Sequence, residues 1–431
     1  MKKSNIGILN STFQLKNDWN IYSLKYLLKS KITDGPHETP KFIDEGIPFL
    51  SVDSIIDGKL TFENCRYISK EDYKKYKIKC NPRKNDIFMG KAASIGKIAK
   101  VDVDFPFSIW SPLALIRPNI KKIIPKFLEY SLKSSYAQDQ IDQYSTSNTQ
   151  KNISMDDIPR IKIIVPRINE QEQIAKYLDK KTTKIEQTIT KNKQLITLLK
   201  EKKESLITEV VTTGLNKTMD LIESPAPWMP LIPRNWKINK FKFYLHINEK
   251  KGFSNAEVLS LYRDYGIIPK KSRNDNHNVT SEDTSNYKYV NKDAFVVNKM
   301  KAWQGSVAVS KYEGIVSPAY YVYKFTSKKL YPRYFHYLMR NKSYTPEYMR
   351  LSAGIRVDQW DLSRYGLENI LILIPPISEQ KQIADYLDDK TSIIDKTIEK
   401  IERNIELLEE YKESLIHHVV TGKIDVRGVE L

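Results

Sequence analysis

The chain has 431 residues, with 70 Lys and Arg against 52 Asp and Glu, for a formal net charge of +18. Its two cysteines, Cys65 and Cys80, carry no CxxC pattern and no histidine at ligand spacing, which argues against a disulfide framework and a zinc site. No apolar run is long enough to span a membrane and no leader-type apolar stretch follows Met1-Lys2-Lys3-Ser4-Asn5, so the reading is a soluble, cytoplasmic chain.

Residues 1–165 read as a mixed, strand-rich globular unit. Residues 166–213 then carry helical apolar spacing without interruption. From Gly214 to Asn235 the prolines Pro225, Pro227, Pro230 and Pro233 predict a connector without helix or regular sheet. Residues 236–374 form a second strand-rich unit, 375–422 a second long helix and 423–431 a tail.

The helices are one segment written twice. Val165–Thr212 and Ile374–Thr421 align at a constant offset without a gap, and 28 of 48 positions are identical. Such a repeat predicts two equivalent modules in one chain. Ile185, Ile189, Asn192, Ile196, Leu199, Lys203, Leu206 and Val210 follow steps of four and three. Ile394, Ile398, Ile401, Ile405, Leu408, Lys412, Leu415 and Val419 repeat them. A seam kept that long predicts a coiled coil, with Lys203, Lys412 and Asn192 as polar seam residues of the kind that set register. Asn169 and Ser378 are the expected N-caps, and Gly214 and Gly422 the expected stops.

The globular parts are related more loosely. Trp19 with Leu24-Lys25-Tyr26 echoes Trp236 with Phe241-Lys242-Phe243, and Asp86-Ile87-Phe88 echoes Asp293-Ala294-Phe295. Pro125-Lys126-Phe127-Leu128-Glu129-Tyr130 matches Pro332-Arg333-Tyr334-Phe335-His336-Tyr337. The fold class expected is α+β: two mixed, strand-rich domains joined by two long antiparallel helices in a coiled coil, with a pseudo-two-fold internal repeat.

Charge is distributed unevenly. Residues 166–213 hold 10 basic and 7 acidic side chains, and 374–431 hold 8 and 13, which leaves about +20 on the remainder. A basic surplus interleaved with 26 Tyr, 14 Phe and 6 Trp suits a polyanion, nucleic acid first among them. Catalytic patterns are missing. Gly90-Lys91-Ala92-Ala93-Ser94-Ile95-Gly96-Lys97 has five residues between its glycines and Ile98 where a phosphate loop needs Ser or Thr, so it reads as a basic turn. There is no Asn/Asp-Pro-Pro-Tyr/Phe tetrad, no glycine-rich cofactor loop and no nucleophile–base constellation. His417 and His418 read as a solvated helix end.

Both helices open on Pro-x-Ile-x-Glu-Gln-x-Gln-Ile-Ala-x-Tyr-Leu-Asp. Thr33-Asp34-Gly35-Pro36-His37-Glu38-Thr39-Pro40 and Asn298-Lys299-Met300-Lys301-Ala302-Trp303-Gln304-Gly305 complete a pattern that resembles the specificity subunits of type I restriction–modification systems along essentially the whole chain. The resemblance implies target-recognition domains that each read one half of a bipartite DNA site. It also implies helices that set the unread gap and dock two methylation subunits, with restriction and translocase subunits joining them. Catalysis and its cofactors (S-adenosylmethionine, ATP and magnesium) would then belong to the partners, and none to this chain. The alternatives are a fused adenine methyltransferase or nuclease, and a structural coiled-coil protein without DNA specificity.

Base reading needs forked or paired donors and acceptors, whereas phosphate contact needs only a cation or small donor. On that ground the expected DNA-facing residues of the first unit are Lys91, Ser94, Lys97, Asn148, Gln150 and Lys151. Those of the second are Lys299, Lys301, Gln304, Arg356 and Gln359. Tyr177 and Leu178, with their repeats Tyr386 and Leu387, are the expected docking positions for the partner subunits.

Overall fold

A computed structural model describes residues 18–147, 151–263, 265–273, 280–281, 283–354 and 360–429. The chain divides into two compact units: 1–192 with 403–431, and 193–402. Each therefore holds one globular part, the first portion of one long helix and the last portion of the other.

In the first unit a four-stranded sheet runs in the order Thr33–Asp34, Leu113–Ile116, Ile87–Gly90, Ile98–Lys100, with antiparallel neighbours. Its two central strands are buried at every position, so they read as continuous apolar runs rather than alternating ones. The helix Pro125–Lys133 packs on this sheet, opened by a proline at its first turn and burying Phe127, Leu128, Tyr130 and Leu132. A second sheet (Arg66–Ile68, Ile47–Leu50, Ser108–Ile109) carries Phe49 among Phe42, Tyr76 and Trp110.

The second unit repeats the plan. Its sheet runs Leu245–Ile247, Tyr320–Phe325, Phe295–Asn298, Val307–Val309, the same order of equivalent strands, and its helix Pro332–Arg340 takes the place of Pro125–Lys133. Phe241, Phe295, Tyr323 and Phe335 meet with ring centroids 4.9–6.5 Å apart at its centre. Each globular part is closed by one more pairing: Asn20–Ser23 with Lys162–Val165, and Lys237–Lys240 with Leu371–Ile374. The last strand of each pairing leads into a long helix.

Those helices span Ile168–Thr213 and Ile377–Val420. The seam residues Ile185, Ile189, Ile196, Val210, Ile394, Ile398, Ile405, Leu415 and Val419 are all buried. In the first unit Glu170 meets Arg427 while Glu186 meets Lys412, so the two helical segments run antiparallel. In the second, Lys203 bonds Asp395, and a Cβ on Gly214 would touch Glu379, which gives the same direction. Lys203 and Lys412 are repeats of each other, as are Glu186 and Asp395. Each unit thus contains one copy of the same ion pair.

The expected stops hold for a physical reason. Gly214 and Gly422 adopt φ of +79° and +77°, and a Cβ there would lie 3.2 and 3.1 Å from Trp236 and Trp19. Two expectations need correction. Asn169 and Ser378 are not the caps, because the helices begin one residue earlier. Glu170 instead accepts the Arg167 N–H at the first start, while at the second, where Pro376 has no N–H, Glu379 accepts Trp236 Nε1 at 3.1 Å. The connector is also not free of sheet. Leu221–Glu223 pairs with Leu231–Pro233, and Ala226, Met229 and Ile232 join the core of the second unit. In a two-stranded ribbon every strand is an edge, and Pro233 sits at a strand end, where a missing N–H costs little.

Candidate nucleic-acid interface

In the first unit the strands Ile87–Gly90 and Ile98–Lys100 are joined by the basic turn. Gly90 N–H donates to Lys97 O (2.8 Å) and Gly96 N–H to Gly90 O (3.0 Å). Gly96 takes φ +77°, and Gln138 Nε2 grips its carbonyl from the neighbouring helix at 3.0 Å. A strand follows this turn, whereas a phosphate loop leads into a helix, so the likeness to one ends at the backbone. The segment Lys151–Asn152 lies beside the turn: Ile153 N–H donates to Lys91 O at 3.0 Å, and Ala92 bridges Asn152. Lys91, Ser94, Lys97 and Lys151 therefore come together. Asn148 and Gln150 lie outside the described residues.

The second unit builds the same feature. Leu362 N–H donates to Lys299 O at 2.9 Å, the counterpart of the Ile153–Lys91 bond. Ser352–Ala353 pairs with Asp361–Leu362 as Thr146–Ser147 pairs with Lys151–Asn152. Lys301 and Gln304 are exposed on the turn, which closes at Gly305 with φ +86°. Trp303 and Trp360, with ring centroids 5.3 Å apart, flank it. Arg356 and Gln359 lie outside the described residues.

Sequence alone does not separate the lysines, and their partners do. Lys91 is bonded to Asp34 at 2.7 Å, Lys151 to Asp142 at 2.7 Å and Lys299 to Asp361 at 3.1 Å. Among the described residues Lys97 and Lys301 make no ion pair. Asp34 itself is buried and takes Lys79 at 2.5 Å and His37 at 3.1 Å as well as Lys91. Burial pushes its carboxyl up, yet hydrogen bonds and charges from Lys79 and Lys91 prevail and hold it below the usual carboxylate value. Nothing in the sequence marks Asp34, because an Asp-Gly after a short strand is too common a pattern to signal a role.

The start of each helix is clamped by a glutamine. Gln171 accepts from Ile124 N–H (2.8 Å) and donates to Lys122 O and Pro166 O; Gln380 accepts from Tyr331 N–H (2.7 Å) and donates to Lys329 O and Pro375 O. Tyr130 donates to Asp179 at 2.9 Å, and Tyr337 donates to Asp388 at 2.6 Å. Burial pushes both phenols above their ordinary value. Leu178 and Leu387 are fully buried in their own units, which removes them as docking residues. Tyr177 and Tyr386 remain half-buried on the helix surface. The repeat of Glu-Gln, spaced from a repeated Tyr, was the signal that could have disclosed the clamp.

No helix among the described residues is long and apolar enough to cross a membrane. Two heads of one plan, each with a turn beside a short hairpin, make a doubled scaffold. The family model for the type I restriction modification DNA specificity domain matches residues 16–198 and again 233–407, and the chain belongs to that family. A putative type I restriction enzyme MjaX specificity subunit from Methanocaldococcus jannaschii is 26% identical over 99% of this chain and 97% of its own. The StySPI specificity subunit from Salmonella potsdam is 22% identical over 83% and 78%. Among solved structures, a chain from work on complex assembly and conformational transition of the type I R-M system superposes with a TM-score of 0.68 at 13% identity, covering 96% of this chain and 100% of that one. The HsdS subunit from Thermoanaerobacter tengcongensis gives 0.53 at 13% identity, covering 96% and 99%.

Proposed function

We propose that this chain is the subunit through which a type I restriction–modification complex reads double-stranded DNA in the cytoplasm. Each unit reads one half of a bipartite site through its turn and hairpin. The helices set the unread spacer and dock two methylation subunits at the surfaces around Tyr177 and Tyr386, and restriction and translocase subunits join that core. S-adenosylmethionine, ATP and magnesium serve the partners. The observation that carries this reading is the equivalence of the two turns. Their backbone bonds repeat, while the side chains displayed differ: Lys91, Ser94 and Lys97 in one unit, Lys299, Lys301 and Gln304 in the other. A shared frame carrying different side chains suits two unlike half-sites. Arg356 and Gln359 belong to the base-reading set of the second unit, and Asn148 and Gln150 to that of the first.

Methylome mapping in a host carrying the complete operon tests the reading, with one asymmetric motif of two half-sites and a gap as the expected result. Inserting four residues, about one helical turn, near Lys191 lengthens that gap and leaves the bases unchanged. A continuous motif, or a gap that ignores the insertion, overturns the proposal.

A further inference from the structure

We propose that Asp34 is a positioning residue of the first unit's interface: its buried carboxylate draws Lys79 and Lys91 into one cradle that receives a backbone phosphate. This rests on the DNA-reading function proposed above.

The geometry carries the argument. Asp34 ends the edge strand of the central sheet, and its side chain is 6% exposed. Lys79 comes from the last turn of the helix Lys70–Lys79, and Lys91 from the first position of the turn. The two ammonium groups reach separate oxygens, Oδ1 at 2.5 Å and Oδ2 at 2.7 Å, so one carboxylate fixes two cations from distant parts of the chain. Lys79 donates a further bond to Gly35 O at 3.2 Å. Gly35 permits the approach, because a Cβ there would fall 1.8 Å from Ile109 O. A single carboxylate between two lysines leaves one positive charge in surplus. Lys79 is 52% exposed and Lys91 12%, so the surplus has a face to solvent at Lys79. Two cations held at one point suit a phosphodiester oxygen, and the fixed geometry spares the ordering cost that free lysines meet on binding.

The second unit supplies an independent comparison. Continuing the register of Leu245–Ile247 against Tyr320–Phe325 by one further bond, Asn248 N–H to Val322 O, brings Glu249 to the position of Asp34. Glu249 meets one lysine, Lys288, at 3.0 Å, and there the lysine is the buried partner and the carboxylate the exposed one. An acid at this place recurs, while the surplus cation belongs to the first unit.

The test uses the assembled complex and measures binding to specific and random duplexes across a salt series. Asp34→Asn adds one positive charge, so simple electrostatics demands tighter binding to every duplex and a steeper salt dependence. The cradle demands the reverse: about tenfold weaker binding to specific and random duplexes alike, since a phosphate contact carries no sequence, and a logarithmic salt slope smaller by about one. Lys79→Met, at an exposed position, is expected to lower the slope by about one as well, and Asp34→Asn added to Lys79→Met to lower it no further. Tighter binding by Asp34→Asn, or an unchanged slope in Lys79→Met, overturns the cradle. Lower thermal stability with unaltered binding would make Asp34 a structural residue only, and also overturns it. If Asp34→Asn does not fold, the Lys79→Met slope decides alone. A wild-type complex with no salt-dependent DNA binding would instead overturn the function on which the cradle rests.

Discussion

The two units agree where side chains hold the frame and differ where side chains face outward. Gln171 and Gln380 make the same three bonds to equivalent backbone groups, and Tyr130 and Tyr337 reach the equivalent Asp179 and Asp388. On the turns the pattern reverses, since Lys91 pairs with an acid from the edge strand and Lys299 with one from the neighbouring hairpin. Duplication thus preserved geometry through buried polar contacts, which tolerate little change, while the turn lysines found different acids in the two units. The difference shows where a two-headed scaffold can vary without losing its fold.

The glutamine clamp gives the largest expected effect and the strictest check on equivalence. Gln171→Ala strips partners from one part-buried N–H and two carbonyls, one of them buried, and should cost roughly 2–3 kcal/mol of the first unit's stability. Gln380→Ala should cost the second unit the same. Hydrogen exchange resolved by unit would measure both, and a large loss in one with little in the other would break the claim that they are one device.

A sharper contrast lies on the packed helices. Glu129 in the first unit is buried between Lys126 and Lys133, whereas its counterpart in the second is His336, whose Nδ1 accepts Val309 N–H at 3.2 Å. Burial, with the charges of Arg340 and Lys311, pushes the His336 imidazole down to about 3. The unfolded chain protonates near pH 6.5 while the folded unit does not. The contribution is therefore complete above about pH 6.5 and declines as pH falls toward 3. Because the residue is only half-buried, the loss by pH 5 should be about 1–2 kcal/mol, below the full linkage value. Exchange protection of the second unit should fall between pH 7 and pH 5, and His336→Leu should flatten that fall. An equal decline in the first unit would remove His336 as its cause.

What the sequence disclosed follows from the range of the interactions involved. The helices were legible because a seam at steps of four and three is local, and Gly214 and Gly422 marked their ends as expected. The plan of the sheets is legible only through the repeat, and one residue out of register: Asp86-Ile87-Phe88 and Asp293-Ala294-Phe295 both lead into equivalent strands, but Asn85 and Asp293 share the positive φ and Asp86 and Ala294 accept the same ladder bond. The ribbon in the connector is not legible because proline spacing says nothing about edges: a two-stranded ribbon accepts Pro233 where a central strand would not. Leu178 and Leu387 were misplaced because a helix repeat does not tell which apolar positions meet their own globular part and which stay on the surface. Pairing between residues far apart in the chain, such as Asp34 with Lys79 and Lys91, leaves no trace in local pattern.

The smallest expected effect concerns the helices themselves, where the repeat is strongest. Lys203 and Lys412 occupy the same seam position, yet Lys203 reaches both oxygens of Asp395 at 2.6 and 2.7 Å, and Lys412 lies 3.7 Å from Glu186. Glu186 is shared, because Lys59 of the globular part takes its other oxygen at 2.8 Å. Partly exposed pairs of this kind contribute about 0–1 kcal/mol and are screened by salt. Lys203→Met should therefore cost up to about 1 kcal/mol at low salt and less at high salt. Lys412→Met should cost less in both, since Glu186 keeps Lys59. Methionine retains the apolar stem at the seam, so the difference isolates the charge. Denaturant melts at two salt concentrations would read it. Equal, salt-independent losses in both variants would mean that the lysines act through packing alone, and that the two ion pairs do not distinguish the units.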